Sequence, residues 1–352
     1  MLESDAFTRF ENGSLAERRE AMTGGADDQR VRAAVLRALD KPVVLSALQE
    51  VLEEIRSMPP GMGRITAMNT FVRTLGQPAT LASFLDVLRA SLTGSHAGDA
   101  ALAERSRRGR MHCVYGWSGQ TLMLTSAPST TAGTVEPSED MGFLGYPPAE
   151  WDMSIHIWQP NPRATGFAST KRIEPGVIVE PPHSHPFAFA SFVATGQMHQ
   201  SLYREAQPAV GQRYAGVELQ RVDGVWPPHE EYRGVRLATV EERVLLQAGD
   251  SYYMPPEAIH DVEVDSGQAA RTPAVTLFLC AEATVKPRAY LVPAMARFHE
   301  NHPELKDEAV ALTTSQWQEK LKRVARYLRG QSEELVLDDV VDCATSYAFM
   351  HI

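Results

Sequence analysis

Pro182-His183-Ser184-His185-Pro186 constrains this chain more than any other stretch, because side chains alternate faces along a β-strand. A His-x-His on a strand turns both imidazoles the same way, close enough to share one cation. Further along comes Gly249-Asp250-Ser251-Tyr252-Tyr253-Met254-Pro255-Pro256-Glu257-Ala258-Ile259-His260. It reads as a turn, a strand, a second turn, and then a His arriving on a neighbouring strand. A lone strand His is commonly a hydrogen-bonded core or surface residue. Two stretches that converge three imidazoles from different strands describe a metal site inside a barrel. Three nitrogens with positions left open describe a reactive metal rather than a structural one.

Taken together the two stretches resemble the cupin superfamily. Its first motif runs Gly-x5-His-x-His-x3,4-Glu-x6-Gly, and its second Gly-x5-Pro-x-Gly-x2-His-x3-Asn. Gly176, His183, His185 and Gly196 fit the first, with one extra residue between Gly176 and His183. Gly249, Pro255 and His260 fit the second in register. Phe189 stands where the family's ligand Glu would be, Glu257 replaces the motif's Gly, and Val264 replaces the terminal Asn. The resemblance covers residues 110–295 and implies a mainly β chain with α: a double-stranded β-helix, or jelly-roll barrel. With Phe in place of Glu, it implies a three-His site like that of thiol dioxygenases and other iron cupins. It also implies a homodimer.

Composition bounds the alternatives. The chain has 352 residues, enough for a large core and, at about 150 residues per domain, for two domains. A formal net charge of -10 argues against a nucleic-acid groove. The basic run Arg105–Arg110 reads as a polar connector. No stretch approaches eighteen apolar residues, so nothing predicts a membrane span. The N-terminus lacks a basic region followed by an apolar core, so no signal peptide is expected. Cys113, Cys280 and Cys343 are odd in number and widely spaced, which suits a reducing cytoplasm better than a disulfide framework.

The organisation changes near residue 100. Residues 29–39 carry Val31, Ala34, Val35 and Ala38 at helical spacing. Pro42 can open a second helix with Leu45, Leu48, Val51, Leu52 and Ile55 on one stripe. Segments 64–75 and 78–92 repeat the pattern, giving about four helices in residues 1–100, with the first 25 residues partly disordered. Residues 101–300 carry many short β-branched or aromatic runs bounded by Gly, Pro or Asn, the pattern of a sandwich or barrel. Those runs are Met111–Trp117, Thr121–Thr125, Ser154–Trp158, Phe167–Ile173, Phe187–Val193, Gln197–Tyr203, Val244–Leu246, Ser251–Met254, Asp261–Val264 and Val275–Ala281. Pro208–Glu242 reads as a long surface insertion or lid. Residues 301–352 form a C-terminal extension with one helix over Ser315–Arg329. The N-terminal stripes must be buried on one another, on the barrel, or on a second subunit. Residues 29–92 are expected at a dimer interface or closing one barrel mouth over the metal.

The chemistry follows from the ligands. Three neutral imidazoles leave a divalent ion its full charge, fit to hold an anionic chelating substrate together with O2. Iron(II) is the first expectation, because imidazole suits it and the resembling three-His cupins are largely iron oxygenases. Zn, Ni, Mn and Cu remain open on ligand type alone. The expected activity is that of a non-heme iron dioxygenase acting on a small polar metabolite. A metal-dependent isomerase, lyase or hydrolase, or a non-catalytic ligand-binding cupin, are the alternatives. Around the metal, His199 could serve as a fourth ligand, a proton carrier or a hydrogen-bond partner of a ligand. Tyr252 and Tyr253 alternate, so one of them, with Tyr252 the first choice, could contact substrate through its hydroxyl. Arg172 could pair with a substrate carboxylate. Glu180 and Glu257, each three residues from a ligand His, could enter the coordination sphere. His229-Glu230-Glu231 reads as a solvated loop.

Overall fold

The computed structural model describes residues 14–15, 26–108, 111–112, 119–126, 151–158, 177–207, 210–218, 233–265, 272–282, 284–285, 288–291, 309–310, 313–332 and 335. Five helices come first: α1 (Ala26–Leu39), α2 (Val44–Ser57), α3 (Met62–Leu75), α4 (Pro78–Ser91) and α5 (Ala97–Arg108). Then follow β1 (Met111–His112), β2 (Gly119–Ser126), β3 (Trp151–Trp158), β4 (Val177–Ser184), β5 (Phe189–Thr195), β6 (Gln197–Glu205) and β7 (Gln212–Glu218). The last elements are β8 (Arg233–Gln247), β9 (Ser251–Met254), β10 (Ile259–Asp265), β11 (Ala274–Cys280), β12 (Arg288–Leu291), β13 (Ala309–Val310) and α6 (Thr314–Leu328). No helix among the described residues is long and apolar enough to cross a membrane.

The strands form two antiparallel sheets. One runs β13-β1-β2-β3-β11-β5-β9, and the other closes on itself in the order β10-β4-β12-β7-β8-β6. Alternation along each strand assigns the faces of the first sheet. Val275, Leu277 and Leu279 of β11 and Ala190, Phe192 and Ala194 of β5 pack on the helices. Ala274, Phe278 and Cys280, with Phe189 and Val193, turn instead to the interior between the sheets. A third, smaller cluster of Tyr203, Tyr214, Leu237, Ile259 and Tyr290 fills the ring that β12, β7 and the first part of β8 add to the second sheet.

The expected stripes are the buried ones. Leu45, Leu48, Val51, Leu52 and Ile55 of α2 are all at most 7% exposed, and each such side chain contributes about 1.5–3 kcal/mol by leaving water. Their partner is settled: the helices share one core with the outer face of the first sheet and with α6. This corrects the expectation that residues 29–92 close a barrel mouth, because the face they cover is the one turned away from the interior.

Three other expectations change. The second helix opens at Val44, not Pro42, and its N-cap Val43 has no side-chain hydrogen bond to offer. Asp99 of α5 supplies it from another helix, accepting from the Leu45 and Ser46 amides at 3.1 and 2.9 Å and from the Ser46 hydroxyl at 2.6 Å. The supposed connector through Arg105 is thus the end of α5, and among the described residues five helices stand where about four were expected. Within the supposed insertion Pro208–Glu242, residues 212–218 and 233–242 are strand, paired with each other and with β6. Residues 219–232, the strand expected at Phe167–Ile173 and the cluster His229-Glu230-Glu231 lie outside the described residues. So do the first 25 residues apart from Ser14 and Leu15. Leu15 is fully buried at the interior's apolar end, and its amide donates to Glu241 at 2.7 Å.

Candidate metal centre

The strand pairing that closes the second sheet also assembles the three imidazoles. His183 of β4 stands directly opposite His260 of β10, with a register shift just beyond the pair. His185 follows immediately after β4, and its carbonyl accepts from the Glu257 amide at 3.3 Å, tying the two motif stretches together. Two glycines make the turns possible. Gly196 (φ 72°) lets β5 fold back into β6, where a Cβ would meet the Ala274 backbone at 2.6 Å; Gly249 (φ 96°) turns β8 into β9.

The ligand-capable nitrogens of His183, His185 and His260 all lie within 4.8 Å of one another. His183 Nε2 and His185 Nε2 are 3.2 Å apart. Two imidazoles on one ion at about 2.1 Å, at an angle between octahedral and tetrahedral, have nitrogens about 3.0–3.4 Å apart. The donor set therefore fits a cation without rearrangement of that pair. His260 is 2% exposed, and its Nδ1 lies 3.2 Å from the Ala258 carbonyl. A proton on Nδ1 donates there and leaves Nε2 as the ligating atom. Burial, then the neighbouring His183, His260 and His156, push the His185 imidazolium well below its ordinary pKa. At neutral pH His185 is the neutral, ligating form.

Aromatic rings surround the set. Phe187 stacks on His185 at 5.2 Å, while Phe189 meets His185 edge-on at 5.0 Å and His260 at 5.7 Å. Phe278 fills the space between Phe189 (4.6 Å) and His156 (4.8 Å) on the opposite wall. The position where the resembling family carries a ligand Glu is therefore an apolar ring against the imidazoles.

The other candidates separate clearly. Tyr252 faces the interior, T-shaped to Phe189 at 6.0 Å, and its hydroxyl accepts from Gln200 Nε2 at 2.9 Å. His199 lies on the opposite face of β6 from Gln200; its electrostatic neighbours are Arg243, Glu263 and Asp265, and burial followed by Arg243 lowers its pKa. That placement removes it from the metal cluster and corrects its reading as a fourth ligand or proton carrier. Glu257 is exposed in the turn before β10 with φ 65°, in the left-handed conformation that explains the family's Gly there, and does not join the cluster. Glu180 lies opposite Val262 in the β4–β10 ladder. Arg172 and Gly176 lie outside the described residues.

Sequence reasoning missed Gln200, Ser191 and His156. A signal existed for the first: Met198 and Leu202 are the apolar residues of that strand, and period two puts Gln200, not His199, on their face.

No family model matches the sequence, and no curated protein matches it. Similar solved structures include an oxalate decarboxylase variant from Bacillus subtilis, at 10% identity over 51% of this chain and 29% of that one, with a TM-score of 0.24. Vicilin from Solanum lycopersicum is similar at 9% identity over 51% of this chain and 32% of that one, TM-score 0.25. A hydroquinone 1,2-dioxygenase from Sphingomonas sp. TTNP3 with 4-hydroxybenzoate bound gives 14% identity over 38% of this chain and 61% of that one, TM-score 0.20. This chain spans less than two thirds of each. The architecture here, two antiparallel sheets with one closed on itself and helices packed on the other, is the mainly β, barrel-type fold that was expected. The assignment stands on strand pairing and on the register that sets His183 against His260.

Proposed function

We propose that this chain is a metal-dependent cupin enzyme in which His183, His185 and His260 hold one divalent ion, with iron(II) as the metal and O2 and a small polar, anionic metabolite as co-substrates. The observation that carries this reading is the set of three ligand nitrogens within 4.8 Å, walled by Phe189 where a carboxylate would have reduced the site's charge. An iron(II) bound by three neutral imidazoles supplies Lewis acidity and one-electron chemistry with O2, and keeps its full +2 charge for an anionic substrate. Zn, Ni, Mn and Cu fit the same donors.

The chain's own groups have separate tasks. The Ala258 carbonyl fixes the His260 tautomer, so that its ligating nitrogen points inward. Phe187, Phe189 and Phe278 exclude water, which strengthens electrostatic contacts between the site and an anion. Tyr252 and Gln200 join the two sheets below the imidazoles and limit the substrate's depth. The homodimer implied by the resemblance belongs to the same proposal, and light scattering at micromolar concentration tests it.

Anaerobic loading with iron(II), then an oxygen-electrode trace across a panel of small hydroxy- and keto-acids, tests the activity. Substrate-dependent O2 uptake is expected, and it should vanish in His260→Ala. Turnover of a substrate with no O2 uptake would move the protein to the Lewis-acid isomerase, lyase or hydrolase class. One bound metal with no turnover across the panel would favour the non-catalytic binder.

A further inference from the structure

Among the described residues, two polar atoms buried in the interior cluster, on β5 and β6, have no hydrogen-bond partner. Ser191 is fully buried and Gln200 is 1% exposed, yet the Ser191 hydroxyl and Gln200 Oε1 make no hydrogen bond. Leaving such atoms unpaired costs about 1–3 kcal/mol each, so native interiors seldom keep two without a use. Both face the space that holds the imidazoles. Ser191 lies between Phe189 and Val193, and Gln200 between Met198 and Leu202, all four of them residues of the interior cluster. Their placement relative to the metal set follows from the ladders. His260 stands opposite Leu202 and Val262 opposite Gln200, so Gln200 is the diagonal neighbour of His260, with Cα atoms about 7–8 Å apart. Ser191 stands opposite Tyr252, whose ring crosses to Gln200. Gln200 lies two residues from Leu202, the partner of His260, and Ser191 two from Phe189, whose ring meets His185 and His260, so Ser191, Tyr252 and Gln200 make a neutral polar floor beyond the imidazoles.

We propose that this floor is a specificity subsite that accepts a hydrogen-bond donor, a hydroxyl or N–H, at the far end of a substrate whose near end chelates the metal. The inference rests on the metal reading above and adds the chemistry of the substrate's other end. The floor carries no formal charge, so a second carboxylate or phosphate there would be buried without a counter-ion. A methyl terminus would leave both atoms unpaired. A hydroxyl or amide N–H gives Gln200 Oε1 its donor, while the Ser191 hydroxyl can donate or accept in turn.

The test uses full-length protein loaded with Co(II) and alkyl hydroxamates of three to six carbons, which chelate metals whatever their tail. Each length is offered with a methyl, methoxy or hydroxyl terminus, and binding is read from the Co(II) absorption bands, with metal content measured in every sample. At the best-fitting length, the hydroxyl terminus should bind about fivefold or more tighter than the methyl. Gln200→Leu should abolish that preference, whatever it does to the affinity for the methyl form; Ser191→Ala, which removes less volume, should reduce it. Equal affinities at every length in metal-loaded protein would overturn the subsite, and so would a preference that survives both substitutions. A preference for methoxy over hydroxyl would overturn the donor assignment. Wild-type protein that takes up no Co(II) would instead overturn the metal reading, and this proposal with it.

Discussion

At the scale of single residues, what the sequence shows is chemistry by type and spacing, and what it hides is direction. His183, His185 and His260 were legible because His-x-His and a third His after a Gly-Asp turn are rare enough to imply convergence. His199 was misread because it sits in a run whose interior face is set by Met198 and Leu202, and a polar residue between them attracts less notice than an imidazole. Ser191 and Gln200 look like ordinary strand polars until the unpaired Ser191 hydroxyl and Gln200 Oε1 are known. Glu257 shows the reverse case, a departure from the family motif whose meaning is conformational. It holds φ 65°, which costs an L-residue about 1–2 kcal/mol relative to its preferred region. Glycine there removes the strain but adds about 0.5–1 kcal/mol of unfolded-chain entropy. Glu257→Gly should therefore stabilise the fold by about 0.5 kcal/mol or more in urea melts, with metal content unchanged. A loss of stability would mean that the Glu side chain has a structural role.

At the scale of elements, apolar period made most helices and strands legible, and its absence explains the misses. The run Ala97–Arg108 has good helix formers but little apolar stripe, with Ala103 as its fully buried apolar residue, so no helix was expected there and its basic end from Arg105 read as a connector. Its place in the fold is set by Asp99 capping α2 from outside, a contact between residues 54 apart that no local pattern announces. Asp99→Ala should cost about 1–2 kcal/mol by leaving the Leu45 and Ser46 amides unpaired, measured by denaturant unfolding. An unchanged midpoint would contradict the cap. Most of β8 was unreadable for a related reason: its exposed charges, such as Arg233, Glu242 and Arg243, mask the alternation.

The latch between helices and barrel makes a pH prediction. Arg64 of α3 reaches Glu282, just past β11, with contacts of 2.6 and 2.7 Å, and lies over the Trp151 ring at 4.8 Å. Burial alone would raise the Glu282 carboxyl, but hydrogen bonds from Arg64, the backbone and Trp151 hold it below its ordinary range. Being more acidic folded than unfolded, Glu282 stabilises the protein above its unfolded pKa of about 4.3, and that contribution is lost as pH falls through the folded value. Glu282→Gln should lower stability at pH 7 by no more than about 1 kcal/mol, since Glu282 is partly exposed, and should flatten the acid limb of the melting profile. Parallel acid limbs for the two proteins would rule the latch out as a source of pH dependence.

At the scale of the whole molecule, the helices and the first sheet are one folding problem. The core that joins them runs through Phe71, Leu85, Phe192, Leu277 and Trp317, so the boundary near residue 100, clear in the sequence, is not a boundary in the packing. A chain beginning at residue 109 would expose Ala190, Phe192, Val275, Leu277 and Leu279 as a contiguous apolar face, which soluble monomers rarely tolerate. It should be insoluble or oligomeric by size-exclusion chromatography, and a monodisperse, metal-binding 109–352 fragment would show the barrel to be autonomous. All of this scaffolding serves to hold β4 against β10, and thereby His183 against His260. The most direct measurement of whether that pairing makes a metal centre is elemental analysis of purified wild-type protein beside the His183→Ala/His185→Ala/His260→Ala variant, each checked for folding by circular dichroism. One equivalent of a transition metal in the wild type and none in the folded variant is the expected result; a folded variant that keeps its full equivalent would contradict it.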